Sequence, residues 1–118
     1  MAMGKIRRQQ FRFPRIAAGT TGQTYERELL AGKVLIREVH AYGGSSTNFD
    51  VTIYDREDRS PISKIYEYEN ANIEFHDILT QPIFFQEPDK HRIFFTIDNN
   101  DSTNPLDLRL RIVYEVLE

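Results

Sequence analysis

From Leu106 to Val116 the chain alternates apolar and polar side chains. Leu106, Leu108, Leu110, Ile112, Tyr114 and Val116 occupy one set of positions, and Asp107, Arg109, Arg111 and Glu115 the other. A helix would scatter those apolar residues around its circumference, whereas a strand places them all on one face. At about 3.3 Å per residue such a strand exceeds roughly 30 Å, well beyond the usual five or six residues. The pattern therefore predicts a long strand that organises the sheet around it.

The same period recurs upstream. His91–Asp98 places Ile93, Phe95 and Ile97 on one face and Phe94 and Thr96 on the other, and Asn48–Asp55 separates Phe49, Val51 and Ile53 from Asp50, Thr52 and Tyr54. Val34–Tyr42 is rich in β-branched residues, Ile62–Tyr68 sets Tyr66 and Tyr68 opposite Ile65 and Glu67, and Gln81–Gln86 forms a shorter apolar run. Turn-forming residues separate these runs at Gly43–Ser46, Asp55–Pro61, Glu87–Lys90 and Asn99–Pro105. Thr24–Ala31 is read as a strand ending in an Ala31-Gly32 turn, in preference to one or two helical turns. Asn72–Leu79 is a short edge strand or irregular. Short strands with regular turns and no room for helical crossovers predict an all-β fold. The expectation is an antiparallel β-sandwich, jelly-roll-like, of roughly seven to nine strands. Its expected core contains Val34, Ile36, Phe49, Val51, Ile53, Ile93, Phe95, Ile97, Leu108, Leu110 and Ile112.

Charge divides the chain. The first 25 residues carry Lys5, Arg7, Arg8, Arg12 and Arg15 and no acid, whereas the remainder carries ten basic and eighteen acidic residues, a net of −8. Phe11 and Phe13 alternate with Arg12 before Pro14, which confines this segment to an edge strand or an extended arm. The expected organisation is a basic N-terminal arm over residues 1–22, hinged at Gly19–Gly22, joined to one sandwich domain over residues 23–118. Basic residues interleaved with aromatics can bind nucleic acid. The −8 of the body opposes that by long-range repulsion, so nucleic acid is not the expected partner. The arm is expected instead to lace onto neighbouring copies. Lys5, Arg7, Arg8, Arg12 and Arg15 would supply charge-assisted contacts and Phe11 and Phe13 apolar anchors. An arm folded back on its own body is the competing reading, and deletion of residues 1–22 is expected to leave a folded monomer that no longer assembles.

Chemistry is sparse. No cysteine is present, which excludes disulfides, thiolate nucleophiles and zinc–thiolate sites. No Gly-x-Ser-x-Gly elbow or phosphate loop occurs. His40, His76 and His91 show no paired spacing, so no metal site is expected, and the oxygen-rich runs Asp55–Asp58 and Asp98–Asp101 read as turns before they read as calcium loops. No catalytic residue and no cofactor are expected. An alternative function is sugar binding, in which Tyr54, Tyr66 and Tyr68 would form a stacking row, although the chain contains no tryptophan. No apolar stretch approaches the ~20 residues of a membrane span, and Met1–Gln10 lacks the apolar core of a signal peptide.

The run from Asn48 to Glu115 resembles small β-sandwich proteins of bacteriophage particles, the capsid decoration and tail-associated domains. The residues that carry the resemblance are Phe49–Asp55, Pro82–Phe85 leading into Glu87–Asp89, Ile93–Asn99 and Leu108–Tyr114. The resemblance implies a structural protein without catalytic residues, located in the virion and assembled in the host cytoplasm. Its partners would be copies of itself and a larger shell or tail protein.

Overall fold

The computed structural model describes residues 4–86 and 91–117. Eight strands run in chain order: β1 (Lys5–Arg12), β2 (Gln23–Glu28), β3 (Lys33–Gly44), β4 (Phe49–Tyr54), β5 (Lys64–Ala71), β6 (Glu74–Gln86), β7 (Arg92–Asn99) and β8 (Leu106–Val116). One 3-10 turn, Pro61–Ser63, precedes β5. The strands form two four-stranded antiparallel sheets, ordered β1-β8-β3-β6 and β2-β7-β4-β5. Every connection except β4–β5 passes from one sheet to the other, which makes the fold an eight-stranded jelly roll.

Alternation explains how the sheets meet. In β8, Leu106, Leu108, Leu110, Ile112 and Tyr114 are all buried, while Asp107 and Arg109 face outward and are exposed. β8 lies between β1 and β3, the central place its length predicted. Every residue of the expected core is buried. The core also takes in Phe11, Phe13, Ile16, Leu29, Phe75 and Phe85.

Three elements differ from expectation. The segments Asn72–Leu79 and Gln81–Gln86 belong to one strand, β6, of 13 residues. Its pairing with β3 steps from Ile36↔Ile83 to Glu38↔Ile78, leaving residues 79–82 outside the register. Pro82 falls in that step on an edge strand, where its missing N–H costs no ladder bond. Ile62, expected at the start of a strand, lies in the 3-10 turn and is almost wholly exposed. The turn expected at Glu87–Lys90 lies outside the described residues.

The third difference is the arm. Its residues form β1, paired with β8 from Lys5↔Val116 to Arg12↔Arg109. Phe11 and Phe13 are buried in the chain's own core. Phe13 meets Phe95 edge-on at 5.3 Å and Tyr25 at 5.1 Å, and Arg27 lies 4.6 Å over its ring. The physical reason is that a free arm would leave two phenylalanines in water and the backbone groups along one side of β8 without strand partners. The Gly19–Gly22 segment adopts positive φ at both glycines and is fastened to the body by Gly19 N–H donating to Asp101 O and Asn99 N–H donating to Thr20 O.

Two buried polar residues tie the loops at this end. Asn99 donates through Nδ2 to the carbonyls of Ile16, Ala17 and Asn104, and its Oδ1 accepts from Ser46 Oγ. The Asp101 carboxylate accepts from the backbone N–H groups of Thr47, Thr103 and Asn104 and from the side chains of Thr47 and Asn104. These donors, Thr47 foremost, hold the Asp101 carboxyl well below the usual carboxylate range.

Candidate functional site

The register of the first sheet composes its outer face row by row. Arg12, Arg109, Tyr42 and Glu74 lie side by side, then Gln10, Arg111, His40 and His76, then Arg8, Val113, Glu38 and Ile78, then Ile6, Glu115, Leu35 and Phe84. The β1/β8 half of this face is basic. Among the described residues no carboxylate pairs with Arg8, Arg12, Arg109 or Arg111. Arg109 instead rests 5.8 Å over the Tyr42 ring. A shallow depression of about 340 Å³ opens at the end of this half, lined by Arg12, Phe13, Gly44, Asp107, Leu108 and Arg109. Beside it Arg15 grips Asp107 through two bonds of 2.8 and 2.9 Å and holds that carboxyl below its ordinary range. Arg37 does the same for Glu115.

The outer face of the second sheet has the opposite sign. Glu26 and Glu28 of β2, Asp50 of β4, Glu67 and Glu69 of β5 and Asp98 of β7 stand at its outward positions, against Lys64 and Arg92. Arg92 pairs with Glu26 at 2.7 Å and Glu57 at 3.4 Å. Phe94 would be an exposed aromatic here, but the guanidinium groups of Arg59 and Arg92 cover it at 5.5 and 5.3 Å. The basic patch and the acidic face thus lie on opposite sides of one sandwich.

The expected arm residues divide. Arg8 and Arg12 join the basic patch, while Lys5 lies at the start of β1 and Arg15 is committed to Asp107. Arg7 lies opposite the buried Tyr114, and Phe11 and Phe13 are core residues, which corrects their expected role as anchors on a neighbour. Arg109 and Arg111 complete the patch from the far end of the chain. Their alternation was legible, but their adjacency to Arg8 and Arg12 needs the β1–β8 pairing.

The tyrosines do not form a row. Tyr66 and Tyr68 share a face, as alternation requires, but it is the core face. Tyr66 is buried, with its hydroxyl donating to Asp77 Oδ2 at 2.8 Å, and Tyr68 stacks on Phe75 at 3.9 Å. Burial, then the Asp77 carboxylate, pushes the Tyr66 hydroxyl far above its usual value. Tyr54 points to the other side of the sheet, across from Phe94. The stacking platform expected for sugar is therefore absent at these three residues.

The oxygen-rich Asp98–Asp101 turn is filled from within: Asp98 Oδ1 accepts from Gly22 N–H, and Asn99 and Asp101 are occupied as described above. Among the described residues no group of three or more histidines or carboxylates converges as a metal cluster. One pair does meet. His40 of β3 and His76 of β6 are register partners, with their Nδ1 atoms 3.0 Å apart. They are far apart in sequence, so their meeting could be found only from strand pairing.

No family model matches the chain, and no curated protein matches it. Solved structures do match. The nucleoplasmin-like N-terminal domain of Drosophila FKBP39 aligns at 10% identity over 100% of this chain and 95% of that one, with a TM-score of 0.46. PliG, a periplasmic inhibitor of g-type lysozyme from Aeromonas hydrophila, aligns at 11% identity over 97% and 88%, with a TM-score of 0.39. A chain of infectious bursal disease virus, Gx strain, aligns at 13% identity over 97% of this chain and 37% of that one, with a TM-score of 0.32. These are likenesses of overall shape alone.

Proposed function

We propose that the protein is a structural subunit of a virus particle or comparable assembly, a capsid decoration or tail-associated component that acts through protein–protein interfaces and not as an enzyme. The observation that carries this reading is the separation of charge across the sandwich. Arg8, Arg12, Arg109 and Arg111 crowd one sheet face without carboxylate partners among the described residues, and the opposite sheet presents Glu26, Glu28, Asp50, Glu67, Glu69 and Asp98. Unpaired like charges on adjacent strands weaken a free subunit and are relieved by an acidic partner. The acidic face of a second copy has that chemistry. A contact between two different faces is heterologous, and it closes into a ring or propagates along a shell or tube. The molecule measures 51 × 26 × 21 Å, so one broad face is large enough for the ~800 Å² per partner of a standard interface. The resemblance to bacteriophage particle proteins supports the same reading and adds a larger shell or tail protein as second partner. The basic side chains of β1, not its phenylalanines, then take part in joining copies.

Sedimentation velocity at low and high salt tests it. The wild-type chain is expected to associate as its concentration rises at low salt and to dissociate at high salt. The double charge reversal Arg109→Glu with Arg111→Glu is expected to stay monomeric at both. A wild-type chain that remains monomeric at both salts and high concentration overturns the reading.

A further inference from the structure

We propose that His40 and His76 form a binding site for a first-row divalent transition-metal ion of the zinc, copper or nickel type. A carboxylate only accepts, so an imidazole nitrogen bonded to one must carry the hydrogen. His40 Nε2 lies 2.8 Å from Glu38 Oε1. Neutral His40 therefore bears its hydrogen on Nε2 and presents a lone pair at Nδ1. That lone pair faces His76 Nδ1 at 3.0 Å. The other nitrogen of His76, Nε2, faces Glu74 Oε2 at 3.8 Å. If His76 carries its hydrogen on Nδ1, it donates to His40 but turns a lone pair toward the Glu74 carboxylate. If it carries the hydrogen on Nε2, two lone pairs meet at 3.0 Å.

An extra proton satisfies all four groups by making His76 an imidazolium, and a metal cation between the two Nδ1 atoms satisfies them with both rings neutral. Both rings then hold hydrogen on Nε2 and direct it at a carboxylate, Glu38 for one and Glu74 for the other. Metal-binding histidines are commonly oriented in this way, with a carboxylate behind each ring. The spacing fits. Two nitrogens at tetrahedral angles on zinc, each about 2.0–2.1 Å from it, stand about 3.3 Å apart. The pair needs to open by only a few tenths of an ångström, and His76 is on the edge strand β6 with its side chain 45% exposed. The ring centroids are 5.2 Å apart and the planes are tilted by 51°, so the two Nδ1 atoms point nearly straight at each other, and each ring must also turn by roughly 20° for both lone pairs to meet on an ion at 2.0–2.1 Å. Arg111 occupies the position across from His40 on β8, and Glu38 and Glu74 flank the pair. No third protein ligand converges among the described residues. Water fills the remaining positions, which suits an imidazole-preferring ion held with modest affinity.

Calorimetric titration of zinc chloride into the untagged full-length chain, in a non-chelating buffer near neutral pH, tests the site. One saturable ion per chain is expected. His76→Ala should weaken binding at least tenfold, Glu38→Gln about tenfold through loss of the ring-orienting carboxylate, and His91→Ala, at the residue just before β7, should change nothing. Affinity should fall as pH drops, because protons compete for the same nitrogens. In the wild-type protein, zinc should shift the ring resonances of His40 and His76 and leave those of His91 in place, a readout that needs no variant. Absence of saturable binding, binding unchanged in His76→Ala, or zinc-induced shifts at His91 alone would overturn the proposal.

Discussion

Arg12 of β1 and Arg109 of β8 stand directly opposite each other in the antiparallel ladder, like charge facing like charge. Arg109 finds the Tyr42 ring, whereas the Arg12 guanidinium has no side-chain partner among the described residues. Replacing Arg12 by threonine keeps a good strand residue and removes the repulsion. Arg12→Thr is expected to raise the stability of the monomer by about 0.5 kcal/mol while weakening self-association. Urea denaturation and sedimentation, run on the same sample, measure both. Loss of stability together with unchanged association would contradict the assigned role of the patch.

Phe13 decides whether the first segment is an arm or a strand. Its ring is buried against Phe95 and Tyr25, so Phe13→Ala is expected to cost about 3 kcal/mol. Deletion of residues 1–22 is expected to leave the chain aggregated or unfolded, because it strips an entire ladder from β8 and exposes the core beneath. Circular dichroism during thermal unfolding distinguishes the outcomes. A truncated chain that melts cooperatively at the wild-type temperature would show β1 to be dispensable.

Asp101 sets an acid limit. Its folded-state carboxyl is held below the unfolded value of about 3.9, chiefly by the Thr47 N–H and then by those of Thr103 and Asn104. A depressed folded value stabilises the fold above the unfolded value, and that contribution is lost as pH falls through the folded one. Asp101→Asn is expected to lower the melting temperature by several degrees at neutral pH. The difference from wild type should shrink steadily below about pH 4. Asp107 and Glu115 act in the same direction, through Arg15 and Arg37. Melting curves recorded from pH 7 to pH 2 provide the comparison, and a gap that stays constant over that range would refute the assignment.

Gly43 marks a close approach between β3 and its surroundings. A Cβ there would lie 2.5 Å from Phe49 Cε1 and 2.9 Å from the Ile73 carbonyl oxygen, which also accepts the Gly43 N–H at 2.6 Å. Gly43→Ala is expected to cost about 1–3 kcal/mol by overpacking. Gly19→Ala meets no atom but adopts φ +72°, so its cost is the smaller left-handed strain of about 1–2 kcal/mol. Equal stability of Gly43→Ala and wild type in urea would show that the contact relaxes freely.

Much of the architecture was legible along the chain. The period-two pattern of β8, β7 and β4 identified inward and outward faces without knowledge of any partner, because side-chain direction in a strand depends only on position parity. Elsewhere parity fell short. Tyr66 and Tyr68 were rightly assigned one face, yet parity does not say whether a shared face meets water or another sheet. β6 was read as two segments, Asn72–Leu79 and Gln81–Gln86, and only an edge position next to a register step makes Pro82 tolerable inside one continuous strand.

The amino-acid sequence alone determined the all-β class, most of the core and the uneven distribution of charge, since each follows from local pattern and composition. Only the tertiary structure decided where the first segment lies, which arginines form one patch, and that His40 meets His76. These relations depend on the pairing of β1 with β8 and of β3 with β6, across chain separations that no local period encodes. The physical reason is that register is chosen by burial of whole faces at once, so neighbours across a ladder emerge from the packed sandwich and not from either strand alone.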